Sequence, residues 1–306
     1  MISSTESADL FSHGVIPLER LPITDDLVKD YVVIHYKDRF RAFRRFHTEM
    51  TTLAYKHLNG TITEIEVYVP LHIPDFIRQY RIGKFLECGT RKVNGRNMFI
   101  EVIPRKIPLS LVEDMAKFRD IIWDYQITAF LFFGTLLGWR RECSIIRHTT
   151  DVDFAAFSEE YTPKLLEDMT QGNLGDTFRP YFLASSPTNV AIEIKMSVPR
   201  GTSMDLFMVF SNRTTNLSDV YGVRSQNPVR FRFPLVSADN LCAGDLLNRL
   251  MYVPCNVDKL LEASYGEDWD VDKPNHIWFT DRNAKTLYKH NPSYFRVVER
   301  RISVDF

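Results

Sequence analysis

Asp151 and Asp153 stand two residues apart at the head of an apolar run, Phe154 to Phe157. On a strand, carboxylates at that spacing leave the same face. A pair placed so at a strand's end can hold a divalent metal ion. Seventeen positions before Asp151, Gly134-Thr135 follows another apolar run, Thr128 to Phe133. A Gly-Thr turn feeding a helix can set backbone N–H groups against phosphate. The plain alternative for Asp-x-Asp is an acidic surface turn; its place between a loop and an apolar strand argues for the metal.

Asp205 adds a third acid. It stands alone in the run Met204-Asp205-Leu206-Phe207-Met208-Val209-Phe210. An acid in a buried strand is costly unless it is paired, hydrogen-bonded or metal-bound. An edge residue or a cap is its bland reading. A neighbouring strand carrying Asp205 would complete a cage of three carboxylates. Such a donor set suits Mg²⁺ or Mn²⁺, hard ions that share their coordination with substrate phosphates. Asp205 is also placed to serve as a general base on an attacking hydroxyl. Arg140, Arg141 and Arg147 flank the same loop, and arginine forks match phosphate oxygens. His148 is a further donor beside them, although a lone histidine is more often structural.

The elements that must position these groups follow from pattern. Ser110 and Glu113 form a capping-box pattern. Leu111, Met115, Phe118, Ile122 and Tyr125 then recur at helical spacing. The chain continues as a strand over Thr128–Phe133, the Gly134-Thr135 turn, and a short helix from Leu136 to about Arg141. A strand begins at Asp151. Thr162-Pro163 opens another helix, with Leu165, Leu166 and Met169 on its apolar side. Strand-like runs cover Phe178–Ala184, Val190–Val198 and Ser203–Phe210. In the second, Ala191, Glu193 and Lys195 alternate with Ile192, Ile194 and Met196, which predicts one wet face and one buried face. Asn256 caps a helix over Val257–Tyr265 that Gly266 ends. The order predicts a mixed α/β or α+β domain.

Upstream, Tyr31–Tyr36, Thr63–Val69 and Asn97–Ile103 read as strands. Asn94-Gly95 between Arg91–Val93 and the strand at Met98 is a hairpin signal. Arg39, Arg41, Arg44 and Arg45 interleave with Phe40, Phe43 and Phe46. That run reads as an element with one buried aromatic face, with binding of an acidic ligand as the alternative. Pro104–Pro108 divides a sheet-containing N-terminal region without a chemical motif, residues 1–107, from a catalytic region, residues 108–306.

The chain has 306 residues, 44% of them apolar and 25% charged, with a formal net charge of −1. This is globular composition. Near-neutral charge argues against gripping a nucleic-acid backbone. The uncharged stretch Tyr125–Trp139 is too short and glycine-broken for a membrane span, and no signal peptide or anchor is visible. Cys88, Cys143, Cys242 and Cys255 lack metal-finger spacing and allow one or two disulfides, with the pairing open. Sequons occur at Asn59, Asn212 and Asn216, close to the roughly two that chance supplies.

The stretch from Gly134 through Trp139, Arg141 and Cys143 to Asp151-Val152-Asp153 resembles the signature of the LicD and fukutin family. Val253-Pro254-Cys255-Asn256, followed by Tyr265-Gly266-Glu267-Asp268-Trp269, is similar to the family's closing element. Trp139 and Cys143 bring it nearer to fukutin than to the bacterial branch. The resemblance covers roughly residues 110 to 270. It implies a nucleotidyltransferase-like α+β fold with a mixed sheet. It also implies transfer of a phospho-alcohol, ribitol phosphate or phosphocholine, from a CDP-linked donor to a hydroxyl of a glycan or glycoprotein acceptor. By the same match Asp151, Asp153 and Asp205 are metal ligands for Mg²⁺ or Mn²⁺. Gly134, Thr135 and Arg141 lie at the donor phosphates, with Arg147 beside them. The resemblance further implies the Golgi or secretory-pathway lumen, and oligomers with related transferases.

One departure stands out. Many members carry Pro-Trp and further acids just before Asp-x-Asp, where this chain has Arg147-His148-Thr149-Thr150. That lowers the local negative charge and argues against a tightly held second metal. A non-catalytic relative that binds nucleotide or glycan, or supports a partner enzyme, is the alternative. A plain nucleotidyltransferase ranks third.

Overall fold

The computed structural model describes residues 106–272, apart from 176, 187–189, 199–201 and 225–226. It also describes 35–36, 40–41, 48–56, 60–70, 72, 74, 78, 82, 84–89, 92–93, 96–97, 283–286 and 298–301. The chain divides into two compact units, Met1–Leu86 and Glu87–Phe306.

In the first unit β1 (His35–Tyr36) pairs with β2 (Phe40–Arg41), and β3 (Thr48–Lys56) pairs antiparallel with β4 (Ile62–Pro70). The predicted strand Thr63–Val69 lies inside β4. Of the predicted strand Tyr31–Tyr36 only β1 is described; of the basic-aromatic run only β2 is, and the rest of both lies outside the described residues.

The second unit opens with a short hairpin, β5 (Lys92–Val93) against β6 (Arg96–Asn97), with Val93 opposite Arg96. The Asn-Gly signal foretold this hairpin, although its second strand begins at Arg96, before the expected Asn97. Residues 98–103 of the predicted strand there lie outside the described residues. Helix α1 (Leu111–Trp123) follows. Its apolar stripe Leu111, Met115, Phe118 and Ile122 is fully buried. Phe118 packs against Phe154 and Phe178 at ring separations of 5.6 and 5.2 Å, and Trp123 stacks on Tyr252. Each such ring contributes about 1.5–3 kcal/mol by leaving water. The expected capping box does not form: Ser110 has helical dihedrals and makes no side-chain cap bond. A capping serine needs an extended backbone to reach the free N–H groups.

Then come β7 (Phe130–Leu131), α2 (Phe133–Glu142), β8 (Asp151–Phe157), α3 (Pro163–Thr170), β9 (Arg179–Ser185), β10 (Ala191–Val198) and β11 (Thr202–Asn212). After them stand β12 (Leu217–Arg224), β13 (Asn227–Pro234), β14 (Leu241–Leu246), β15 (Arg249–Pro254), α4 (Val257–Tyr265), β16 (Ala284–Thr286) and β17 (Val298–Arg301). Eleven strands form one sheet, in the order β14-β15-β7-β8-β11-β10-β9-β17, with β12, β13 and β16 branching from β11. Pairs β8–β11 and β7–β15 are parallel and the others antiparallel. This is the mixed sheet of an α+β fold.

The branch has a simple cause. β11 is long enough to serve two partners on one edge: residues 202–207 pair with β10 and residues 209–212 with β12. Disulfides join Cys88 to Cys143 and Cys242 to Cys255. The first ties the start of this unit to the end of α2; the second closes the β14–β15 hairpin.

Candidate active site

The expected strand Thr128–Phe133 is shorter than predicted. Only Phe130 and Leu131 pair in the sheet, and α2 begins at Phe133 rather than at Leu136. Gly134 and Thr135 therefore sit in the first turn of the helix, not in a separate turn before it. The switch from strand to helix happens at Phe133, whose φ is +39°. A bulky residue held there costs on the order of 1–2 kcal/mol. Its ring packs edge-on to Phe207 and Phe231, both at 5.0 Å. That packing over-determines the strained conformation and aims α2's N-terminus at the head of β8.

The acids follow from register. On the parallel pair β8–β11, Asp205 lies opposite Asp153 and Ser203 opposite Asp151. One carboxylate oxygen from each of Asp151, Asp153 and Asp205 falls within 4.8 Å of the others. Asp153 is anchored twice to α2: its backbone N–H donates to Thr135 Oγ1 at 2.7 Å, and its carboxylate accepts the Thr135 backbone N–H. Gly134 lies directly beside this acid: a Cβ there would stand 3.4 Å from Asp153 Oδ2, an ordinary contact. Thr149 Oγ1 donates to Asp151 Oδ1 at 3.0 Å.

Next on the same face, β10 contributes two residues that sequence reasoning missed. Lys195 lies opposite Asp205, and its Nζ pairs with both Asp205 and Glu193, the latter at 2.9 Å. Glu193 Oε2 accepts the Val223 N–H of β12 at 3.0 Å. The predicted wet face of β10 is thus a correction: Glu193 is only 2% exposed. Alternation of polar and apolar residues marks two different faces, but it does not say whether the polar one meets solvent or a charged cavity.

Charge and burial act together here. Burial pushes Asp153 well above the usual carboxylate range, and Asp151 and Asp205 push it the same way, against Lys195 and the Thr135 N–H. Burial likewise raises Asp205 against the pull of Lys195. Glu193 is pushed up to about 7, chiefly by burial. For Lys195 burial works against the charge, but Glu193 and Asp205 outweigh it and its pKa is raised. Acids that raise one another's proton affinity form a donor set that a hard divalent cation satisfies. The residues present fit Mg²⁺ or Mn²⁺.

These groups line a cavity of about 500 Å³. Gly134, Arg141, His148, Thr149 and Thr150 line it on the α2 side, with Tyr265, Trp269 and Asp272 from the closing segment. Phe133, Phe207 and Phe231 give it an apolar wall. Arg141 is buried, paired with Glu142 at 2.6 Å and Asp272 at 3.2 Å. Arg147 does not line the cavity. Arg140 faces away from it, forking onto Asp258 at 2.7 and 2.9 Å.

Other motif residues are structural. Trp139 is fully buried and donates its Nε1–H to the Asp245 carbonyl at 2.9 Å. It lies so close over Gly244 that a Cβ there would sit 2.4 Å from its ring. Gly138 admits the chain returning at Ser144: its Cβ would stand 2.7 Å from the Ser144 carbonyl. Gly266, with φ +92°, ends α4 and turns the chain so that Tyr265 and Trp269 both reach the cavity.

An α+β domain with this sheet and this acid cluster has known relatives. Residues 126–256, which include Asp151, Asp153 and Asp205, match the family described as LicD/FKTN/FKRP, nucleotidyltransferase domain. It is 30% identical over 249 residues, 80% of its length, to an uncharacterised protein of Caenorhabditis elegans. A second uncharacterised protein of that organism is 26% identical over 85% of the chain. Ribitol-5-phosphate transferase FKTN of Mus musculus is 21% identical over 71%. The chain spans less than two thirds of these relatives' own lengths: 64%, 66% and 49%.

Proposed function

We propose that this chain is a metal-dependent transferase. It moves a phospho-alcohol, ribitol phosphate or a similar group, from a CDP-linked donor to a hydroxyl of a glycan or glycoprotein. The observation that carries this reading is the meeting of Asp151, Asp153 and Asp205 within 4.8 Å beside the first turn of α2. The likeness to proteins named ribitol-5-phosphate transferase supports the class of donor.

In this reading Asp151, Asp153 and Asp205 hold Mg²⁺ or Mn²⁺. Such an ion, when bound, neutralises phosphate charge and orients in-line displacement. The N-terminal turn of α2 faces the diphosphate at Gly134, Thr135 holds Asp153 in place, and Arg141 borders the same cavity. Tyr265 and Trp269 border the cavity with apolar surface suited to the nucleoside. Asp205 takes the proton of the acceptor hydroxyl. The hydroxyl oxygen bonds to the phosphorus bearing the alcohol, the bond from that phosphorus to the CMP oxygen breaks, and CMP leaves. The two disulfides suit an oxidising compartment such as the Golgi lumen; no helix among the described residues is long and apolar enough to cross a membrane.

A second reading is a non-catalytic relative that binds nucleotide or glycan. It is favoured by the neutral Thr149 hydroxyl on Asp151, where many family members carry acids. Thermal shift with Mn²⁺ and CDP separates the two. Catalysis predicts stabilisation that needs both and disappears in Asp151→Asn and Asp153→Asn. No shift with any metal–nucleotide pair points to the scaffold. The released product decides the chemistry: CMP from a CDP-linked donor means that the alcohol phosphate moved, whereas pyrophosphate from a nucleoside triphosphate means that the nucleotide did.

A further inference from the structure

Lys195 is the unusual member of the cluster. It reaches from the middle strand of three, where it lies opposite Asp205, and its ammonium bridges two carboxylates that are each only 2% exposed, Glu193 and Asp205. Phosphoryl-transfer sites with two metal ions hold them roughly 3.5–4 Å apart and share carboxylates between them. Here Lys195 already takes one oxygen of the carboxylate that two ions would share, which leaves the other for a single ion. Asp205 Oδ2 meets Lys195, and Asp205 Oδ1 accepts from Ser203 Oγ at 3.1 Å. On the far side Asp151 Oδ1 accepts from Thr149, a neutral hydroxyl. Glu193, which lines the cavity beside Asp205, is spent on Lys195 and on the Val223 N–H.

We propose that Lys195 is the built-in second cation of this site: a positioning residue that bridges Glu193 and Asp205 so that the cluster takes one divalent ion instead of two. The proposal rests on the metal reading given above and deepens it. The lysine charge is compact and carried on a flexible stem, so it can sit between two carboxylates as an ion does. It also locks β10 to β11 beside the branch where β12 joins. The acid side of the cavity is thereby fixed before any ligand arrives, which lowers the cost of ordering it on binding.

The test is the stoichiometry of Mn²⁺ alone, by calorimetry and by electron paramagnetic resonance on the full chain. The wild type binds one ion. Lys195→Met binds two, because Glu193 and the second oxygen of Asp205 are released as ligands, and Lys195→Arg, which keeps the charge, returns to one. A lysine with a merely structural role leaves the count at one in Lys195→Met. That result, or two ions in the wild type, overturns the proposal. If Lys195→Met does not fold, because it strands two buried carboxylates, Lys195→Gln carries the same prediction while offering them an amide donor. Failure of the metal reading looks different: the wild type then binds no ion, and Asp151→Asn changes nothing.

Discussion

Asp153 and Asp205 sit directly opposite each other on the parallel pair β8–β11, so both carboxyl groups leave one face of the sheet. Without a cation they repel and are poorly solvated. Asp153→Asn removes one charge while keeping an acceptor for the Thr135 N–H. The metal-free variant is expected to be more stable than wild type by about 1 kcal/mol, a rise in Tm of about 2–4 °C for a domain of this size. The stabilisation that Mn²⁺ gives the wild type is lost in the same variant. Differential scanning calorimetry with and without Mn²⁺ reads both signs. A metal-free Tm below wild type contradicts this account of the cluster.

The contact between Trp139 and Gly244 makes a second prediction. Gly244→Ala places a methyl 2.4 Å from the Trp139 ring, and β14 cannot retreat without breaking its ladder to β15. Overpacking of this kind costs about 1–3 kcal/mol. Denaturant unfolding is expected to show the lower midpoint with unchanged slope. An unaltered midpoint means that the indole moves aside.

Asp168 gives the pH dependence. Lys164, Tyr125 and Asn173 donate to its carboxylate at 2.7, 2.6 and 3.0 Å. These bonds, that from Lys164 foremost, hold it at about 2 against the usual 3.8. The folded pKa lies below the unfolded one, so this stabilisation is present above about pH 4 and is lost as pH falls toward 2. Asp168→Asn is expected to flatten that acid limb and leave the curve above pH 5 parallel to wild type. Thermal melts between pH 2 and 6 check it; two curves with the same acid slope contradict it.

The Cys242–Cys255 bond spans 13 residues and closes the β14–β15 hairpin. Loop-closure reasoning gives it about 3 kcal/mol. Replacing both cysteines with Ala is expected to lower Tm by several degrees while Mn²⁺ binding persists, because the hairpin carries none of the three aspartates. Loss of metal binding in a folded variant would show that this hairpin also shapes the cavity.

What the sequence discloses here depends on how local each signal is. Asp205 is legible because one acid in the middle of an apolar strand demands a partner, and Asp151 and Asp153 because their spacing fixes a shared face. Helix α4 and its glycine stop are written in the short run Val257–Gly266, although the expected cap at Asn256 makes no side-chain bond. Phe133 is not legible: five apolar residues in a row, Ala129–Phe133, look like a strand, and rings distant in sequence, Phe207 and Phe231 among them, hold the chain in a helix there. Glu193 and Lys195 are hidden for a similar reason, since their partners Asp205 and Val223 lie on other strands. The hairpins β12–β13 and β14–β15 pass unread because tertiary pairing, more than local propensity, makes them strands.

Anomalous diffraction from crystals grown with Mn²⁺ and CDP shows whether Asp151, Asp153 and Asp205 hold a divalent cation beside α2. A Mn²⁺ peak is expected at coordination distance, roughly 2.0–2.2 Å, from oxygens of all three aspartates, with the diphosphate against the first turn of α2 at Gly134. Ordered nucleotide in the cavity with no anomalous peak at those carboxylates would contradict it.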